Sequence, residues 1–291
     1  MNLDLLKQKQ DKLLNLFKKS GKNRYNIRSC LELSPLGWHI LHSVYVETFW
    51  IKKYLLNDSV LSDKLSDKFD ANNAKISNRG KDLPDFNEII KFTENAFKDN
   101  RNHISKIYKN NNIKKEMSFD YLNDFLIHHH SQHIEIIYMV LNMLNLNYNK
   151  NYEDYAKEII PQKFSFKSVS FKKNNHLIGS SGKSFAYDNE KPMTCISADN
   201  FKISKDLVKL CHWKAFIEDG GYEKKEFWND VSWNWRQKNN ITHPLNWKKV
   251  KNKTSLSTPK GYIAPLESIP VTNISKYELE AFAKWTSLDL P

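Results

Sequence analysis

The chain has 291 residues, 40% hydrophobic and 13% aromatic, which suffices for the cores of two domains of ordinary size and excludes a disordered protein. A net charge of +12 comes from 45 basic against 33 acidic residues, with the lysines scattered among Asn and Asp along the whole length. With no arginine cluster and no basic stripe beside aromatics, that excess describes a solvated surface and argues against a nucleic-acid partner.

No apolar run approaches a membrane span, and the amphipathic, charged N-terminus lacks a signal-peptide core. No membrane partner and a cytoplasmic location are therefore expected. Cys30, Cys195 and Cys211 are odd in number, show no C-x-x-C spacing and read as reduced thiols.

The first predicted helix runs from Leu3 to Phe17, with Leu3, Leu6, Leu13, Leu14 and Phe17 inward. Ser34-Pro35 is a start signal, Ser as N-cap and Pro at the first helical position. The helix that follows carries Trp38, Leu41, His42, Tyr45 and Phe49 along one side. Residues 57–84, rich in Asn, Asp, Lys and Ser, form a long connection with short helical pieces. Phe86–Ile107 is the third long helix and Ser118–Asn145 the fourth, with Ser118 as its N-cap. Four helices with one long crossover suit a four-helix bundle.

In the fourth helix Leu122, Phe125, Leu126, Ile136, Ile137, Val140 and Leu144 repeat at three- and four-residue intervals. His129 and His133 fall on that same face, four apart, so their rings project side by side into the interior. Each nitrogen of a buried imidazole needs a partner. A lone core histidine is ordinarily just hydrogen-bonded, but a buried H-x-x-x-H pair is as readily a pair of metal ligands. His42, on the inward side of the second helix, would supply a third ligand. His128 and His130 are expected to be partly exposed, and His39 to face solvent rather than support the site.

After about residue 155 prolines, glycines and tryptophans appear, and strands become plausible at Phe164–Phe171 and Met193–Phe201. The expected domains are 1–155 and 160–291, with the boundary near Ile160-Pro161. Gly220-Gly221 reads as a helix end with a left-handed residue. Asp188-Asn189-Glu190 reads as a turn whose side chains tie down backbone amides. Trp228, Trp233, Trp235 and Trp247 read as core packing. A last amphipathic helix covers Ser275–Trp285.

SPLGWHILHSVYVETFW (Ser34–Trp50) and HHSQHIE (His129–Glu135) resemble the two metal-bearing motifs of the DinB-like helical bundle. More specifically, they resemble that bundle as it occurs in the sulfoxide synthases of ergothioneine and ovothiol biosynthesis. FAYDNEKP (Phe185–Pro192), FIEDGGY (Phe216–Tyr222), the tryptophan run and PLNW (Pro244–Trp247) resemble the domain that follows it there. That domain is formylglycine-generating-enzyme-like, of the sulfatase-modifying-factor kind, and IPVTNISKYELEAFAKW (Ile269–Trp285) resembles its next segment. The fold class implied is α followed by α+β: a four-helix DinB-like bundle, then an incomplete C-type-lectin-like domain.

The resemblance implies one non-haem Fe(II) held by His42, His129 and His133, with open positions for O2 and substrate. The implied reaction joins cysteine or γ-glutamylcysteine to the imidazole of hercynine or histidine and gives a sulfoxide. Gln132 matches a glutamine that hydrogen-bonds the histidine-derived substrate. Phe92-Thr93 stands near a Tyr-Arg pair of relatives, an arginine that would aid carboxylate recognition. Relatives continue past the segment matching Leu290-Pro291, so no catalytic residue is expected in this chain. A truncated reading frame, a split protein whose second chain supplies the remaining half, and a decayed gene are the three explanations that compete. The other implied possibility is a non-catalytic metal-binding bundle. A domain ending there would leave apolar surface at Phe282 and Trp285.

Overall fold

The apolar periods of the N-terminal part form helices α1 (Leu3–Ser20), α2 (Leu36–Thr48), α3 (Val60–Phe69), α4 (Phe86–Lys109) and α5 (Phe119–Tyr148) in a computed structural model of the chain. The structure describes residues 3–109, 119–148, 151–165, 167–182 and 185–291. Ser118, the expected cap of α5, lies outside the described residues. Two compact units result, Met1–Asn147 with Ser180–Pro192, and Tyr148–Gly179 with Met193–Pro291. Against the single boundary expected between 155 and 160, the division falls after Asn147 and returns a later segment to the helical unit.

Helix α2 is buried without a break from Leu36 to Tyr45, as a helix apolar around its whole circumference should be. It starts one residue later than Ser34-Pro35 suggests. Pro35 has an extended backbone, φ −61° and ψ 155°, and stands at the cap position with no side-chain cap. Its carbonyl accepts from the amides of Trp38 (3.0 Å) and His39 (3.2 Å). Beyond Thr48 the helix widens into a π-helical stretch, Phe49–Leu55.

Leu13 and Phe17 of α1, Leu41 and Val44 of α2, Ile89 and Phe97 of α4 and Ile137, Val140 and Leu144 of α5 belong to one buried cluster. A second gathers Leu6, Ile51, Ile104, Leu122 and Leu126. Along α5 the first cluster begins at Ile134 and the second ends at Ile127. The histidines lie in the interval between them.

Returned to the helical unit, Phe185 stacks on the exposed His128 of α5 at 4.7 Å, and packs against Tyr121 at 5.1 Å. Asp188–Glu190 is a short 3-10 turn in which the Glu190 carboxylate accepts from the Tyr187 amide at 2.7 Å, the backbone tie expected there.

In the second unit β1 (Ser168–Phe171) pairs antiparallel with β4 (Phe201–Ser204), and β2 (Asn174–Ile178) with β3 (Thr194–Ala198). After α6 (Leu210–Glu218) and α7 (Asp230–Lys238) comes a three-stranded antiparallel sheet of β5 (Trp247–Val250), β6 (Lys253–Thr258) and β7 (Gly261–Ile263). Helix α8 (Lys276–Thr286) begins at Ser275, whose hydroxyl accepts from the Glu278 amide while the Glu278 carboxylate accepts from the Ser275 amide.

Trp213, Phe216, Tyr222, Trp228, Trp247, Leu256 and Phe282 make the core of this unit. Phe282 is buried, stacked on Trp213 at 4.9 Å, and the Trp285 indole donates to Asp219 at 2.8 Å. Of the apolar surface expected at these two residues, Phe282 is covered and Trp285 stays half-buried, because α8 turns its aromatic side onto α6.

Gly220 closes α6 with φ +79°, and the Gly221 amide donates to the Phe216 carbonyl at 2.8 Å. A Cβ on Gly221 would stand 2.3 Å from the Phe216 ring, itself fully buried. Gly221→Ala is expected to lower the stability of this unit by about 1–3 kcal/mol through overpacking. Denaturant unfolding followed by tryptophan fluorescence would show it, and an unchanged midpoint would count against so tight a fit.

Candidate metal centre

Four residues apart on α5, His129 and His133 lie one above the other on one helix face. Helix α2 brings His42 to meet them. The ligating nitrogens of the three lie within 4.8 Å of one another, and the ring centres are 4.5 to 5.3 Å apart. His42 Nε2 and His129 Nε2 approach to 3.3 Å. Ligand nitrogens about 2.0–2.1 Å from one ion, at tetrahedral to right angles, stand about 2.8–3.4 Å apart.

The outer nitrogens decide what the inner ones can do. His42 Nδ1 lies 2.6 Å from the Phe69 carbonyl, which can only accept, so the proton sits on Nδ1 and Nε2 keeps its lone pair. His133 Nδ1 lies 3.2 Å from Nδ1 of His39, and one proton between them satisfies both. His129 Nδ1 is buried with no partner among the described residues. Burial holds His129 and His133 well below the ordinary imidazole range, with the charges of neighbouring rings adding to it. Burial also lowers His42, against the opposing pull of the Phe69 carbonyl. At neutral pH the three rings are neutral, with lone pairs available.

His129 Nε2–H can donate to the His42 Nε2 lone pair at 3.3 Å, but His129 Nδ1 then stays buried without a partner among the described residues. A divalent cation held by all three rings is an alternative that the convergence of their nitrogens allows. Three neutral nitrogens suit iron, zinc or copper and leave further coordination positions for small molecules.

Sequence reasoning misplaced two neighbours. His39, expected to face solvent, is only 4% exposed and pushed down to about 3 by burial first and by His42 second. The reason is α2, which has no outward face here. His130, expected to be partly exposed, is fully buried and lies 2.7 Å from the Glu47 carboxylate. Phe97 of α4 packs edge-on against that ring at 5.5 Å. His128 is exposed, as is Gln132, on the turn of α5 that carries His133. The structure thus brings His42, His129 and His133 together and leaves Gln132 at the surface.

Glu47 itself was missed. Both its oxygens accept from the Gln10 amide at 2.8 Å, and the Arg101 guanidinium donates in turn to Gln10. Its signal was one acid in the apolar run of α2, with no buried partner legible nearby.

Comparison with known proteins places residues 165–291 in register with the sulfatase-modifying factor enzyme 1-like domain. The chain is 34% identical over 108 residues to the hercynine oxygenase of Mycolicibacterium thermoresistibile, covering 37% of this chain and 23% of that protein. It is 31% identical over 105 residues to the hercynine oxygenase of Mycobacterium tuberculosis, 36% of this chain and 24% of that protein. The hercynine oxygenase of Mycolicibacterium smegmatis matches to the same extent. The chain spans about a quarter of the length of the curated relatives it matches. The resemblance to ergothioneine-type sulfoxide synthases therefore stands, carried by a sulfatase-modifying factor enzyme 1-like domain over residues 165–291 and by kinship with the hercynine oxygenases.

Proposed function

We propose that this chain is the metal-bearing part of an iron(II)- and O2-dependent sulfoxide synthase that joins a cysteine-containing thiol to the imidazole C2 of hercynine or histidine. The observation that carries this reading is the meeting of three imidazole nitrogens within 4.8 Å, in a chain with hercynine oxygenases among its relatives. The helical unit is then a DinB-like bundle and the second unit a portion of a C-type-lectin-like domain, in a protein of the cytoplasm.

The reaction balances as thiol, imidazole and O2 giving sulfoxide and water. S–H and C–H bonds break, C–S and S–O bonds form, and the second oxygen atom leaves with both hydrogens. Iron(II), when bound, supplies the site where thiolate and dioxygen meet. His42, His129 and His133 hold it, and the Phe69 carbonyl and His39 hold two of those rings in turn. Gln132, exposed on α5 next to His133, offers an amide donor and acceptor to the histidine-derived substrate.

The second reading is a metal-binding bundle that turns over only with a second chain. Loading with iron(II) under anaerobic conditions, then adding hercynine, cysteine or γ-glutamylcysteine, and O2, separates the two. Sulfoxide detected by mass spectrometry from the chain alone marks a self-sufficient synthase. Sulfoxide that appears only with the remaining portion of a hercynine oxygenase added in trans marks a subunit. Metal without product in either mixture leaves a non-catalytic bundle, and no metal at all removes both readings.

A further inference from the structure

Trp38, His42 and Tyr45 occupy one side of α2 at intervals of four and three residues. Each has one hydrogen-bond donor at its tip, and three consecutive residues at the end of α3 receive them. The Trp38 indole N–H donates to the Lys68 carbonyl at 2.8 Å, His42 Nδ1–H to the Phe69 carbonyl at 2.6 Å and the Tyr45 hydroxyl to the Asp70 carboxylate at 2.7 Å. The His42 ring also lies flat on Trp38, 4.7 Å between centres and 10° between planes.

Arg79 braces the same indole. Its guanidinium carbon is 4.2 Å from the Trp38 ring centre, and the group is tied by Nε to the Ala74 carbonyl at 3.0 Å and by Nη2 to the Ala71 carbonyl at 2.8 Å. Residues 68–79 therefore touch His42 by a hydrogen bond and hold the surface on which it is stacked.

We infer that this stretch of the connection between α3 and α4 is an orienting clamp for His42. It selects the Nδ1–H tautomer and sets the plane of the ring, so that Nε2 is presented as a metal ligand. Trp38 and Arg79 are positioning residues rather than ligands. The polar, lysine-rich connection is thereby part of the metal centre, although it contributes no coordinating atom. The Phe69 carbonyl favours the binding-competent tautomer, and the Arg79 cation nearby favours a neutral His42 ring, which suits a site built from neutral imidazoles.

This inference rests on the metal reading, and two measurements keep the failures apart. Long-range nitrogen-15 NMR of the metal-free chain should show His42 as the pure Nδ1–H tautomer, and Arg79→Gln or Trp38→Leu should convert it to a mixture. Anaerobic cobalt(II) titration against a competing chelator should show affinity about 10–100-fold weaker in both variants, the usual cost of losing an outer-shell partner. Trp38→Phe, which keeps an aromatic surface, should recover part of that loss. Circular dichroism reports whether Trp38→Leu folds, and Arg79→Gln, on a partly exposed residue, carries the test if it does not. A tautomer mixture in the unaltered chain overturns the clamp whether or not metal binds. Equal affinity in the unaltered chain and Arg79→Gln overturns it as well. Absence of cobalt binding by the unaltered chain overturns the metal reading instead, and the tautomer result still decides the clamp.

Discussion

His133→Ala is expected to abolish stable metal binding. The substitution cuts the ligand set from three imidazoles to two, and the two that remain come from different helices with no four-residue pair to hold them in register. It also strands His39, whose Nδ1 faces His133 at 3.2 Å. The loss of affinity should exceed about 100-fold, the upper range for removing a mere outer-shell partner. Iron analysis after anaerobic loading and desalting should fall from about one ion per chain to background. Retention of a full ion by His133→Ala would mean that the three rings meet for reasons of packing alone.

The second large effect concerns stability rather than metal. Glu47 has no exposure to solvent, and its carboxylate is received by the Gln10 amide and by His130 Nε2, joining α1, α2 and α5. Arg101 extends the chain of bonds to α4. Glu47→Ala removes the centre and leaves the amide and the imidazole buried without their partner. Breaking a buried pair in this way costs about 3–5 kcal/mol, most of it the desolvation of groups left behind. Urea unfolding should show a loss of that size for Glu47→Ala and a smaller one for Glu47→Gln, which keeps the shape and one acceptor. A loss below about 1 kcal/mol in Glu47→Ala would show that water replaces the carboxylate at little cost.

What could be read beforehand was local. The interval between His129 and His133, the inward side of α2 and the last amphipathic helix from Ser275 all depend on residues within a few positions of each other, where helical geometry is decisive. His39 and His130 were misjudged because periodicity identifies one buried side, whereas α2 and this part of α5 are covered on more than one. The partner of Glu47 was invisible for a related reason, since Gln10 and His130 lie 37 and 83 residues away. The return of Ser180–Pro192 to the helical unit goes with the packing of Phe185 on Tyr121 and His128 of α5, a long-range contact that no short window of sequence reports.

The unbroken burial of α2 limits how this protein can be labelled. A spin label or fluorophore placed anywhere from Leu36 to Tyr45 would have to displace a packed neighbour, so a reporter there would describe a damaged molecule. Met139 on α5, 57% exposed and six residues beyond His133, offers a foothold from which distance measurements can follow the three-histidine cluster without disturbing its packing.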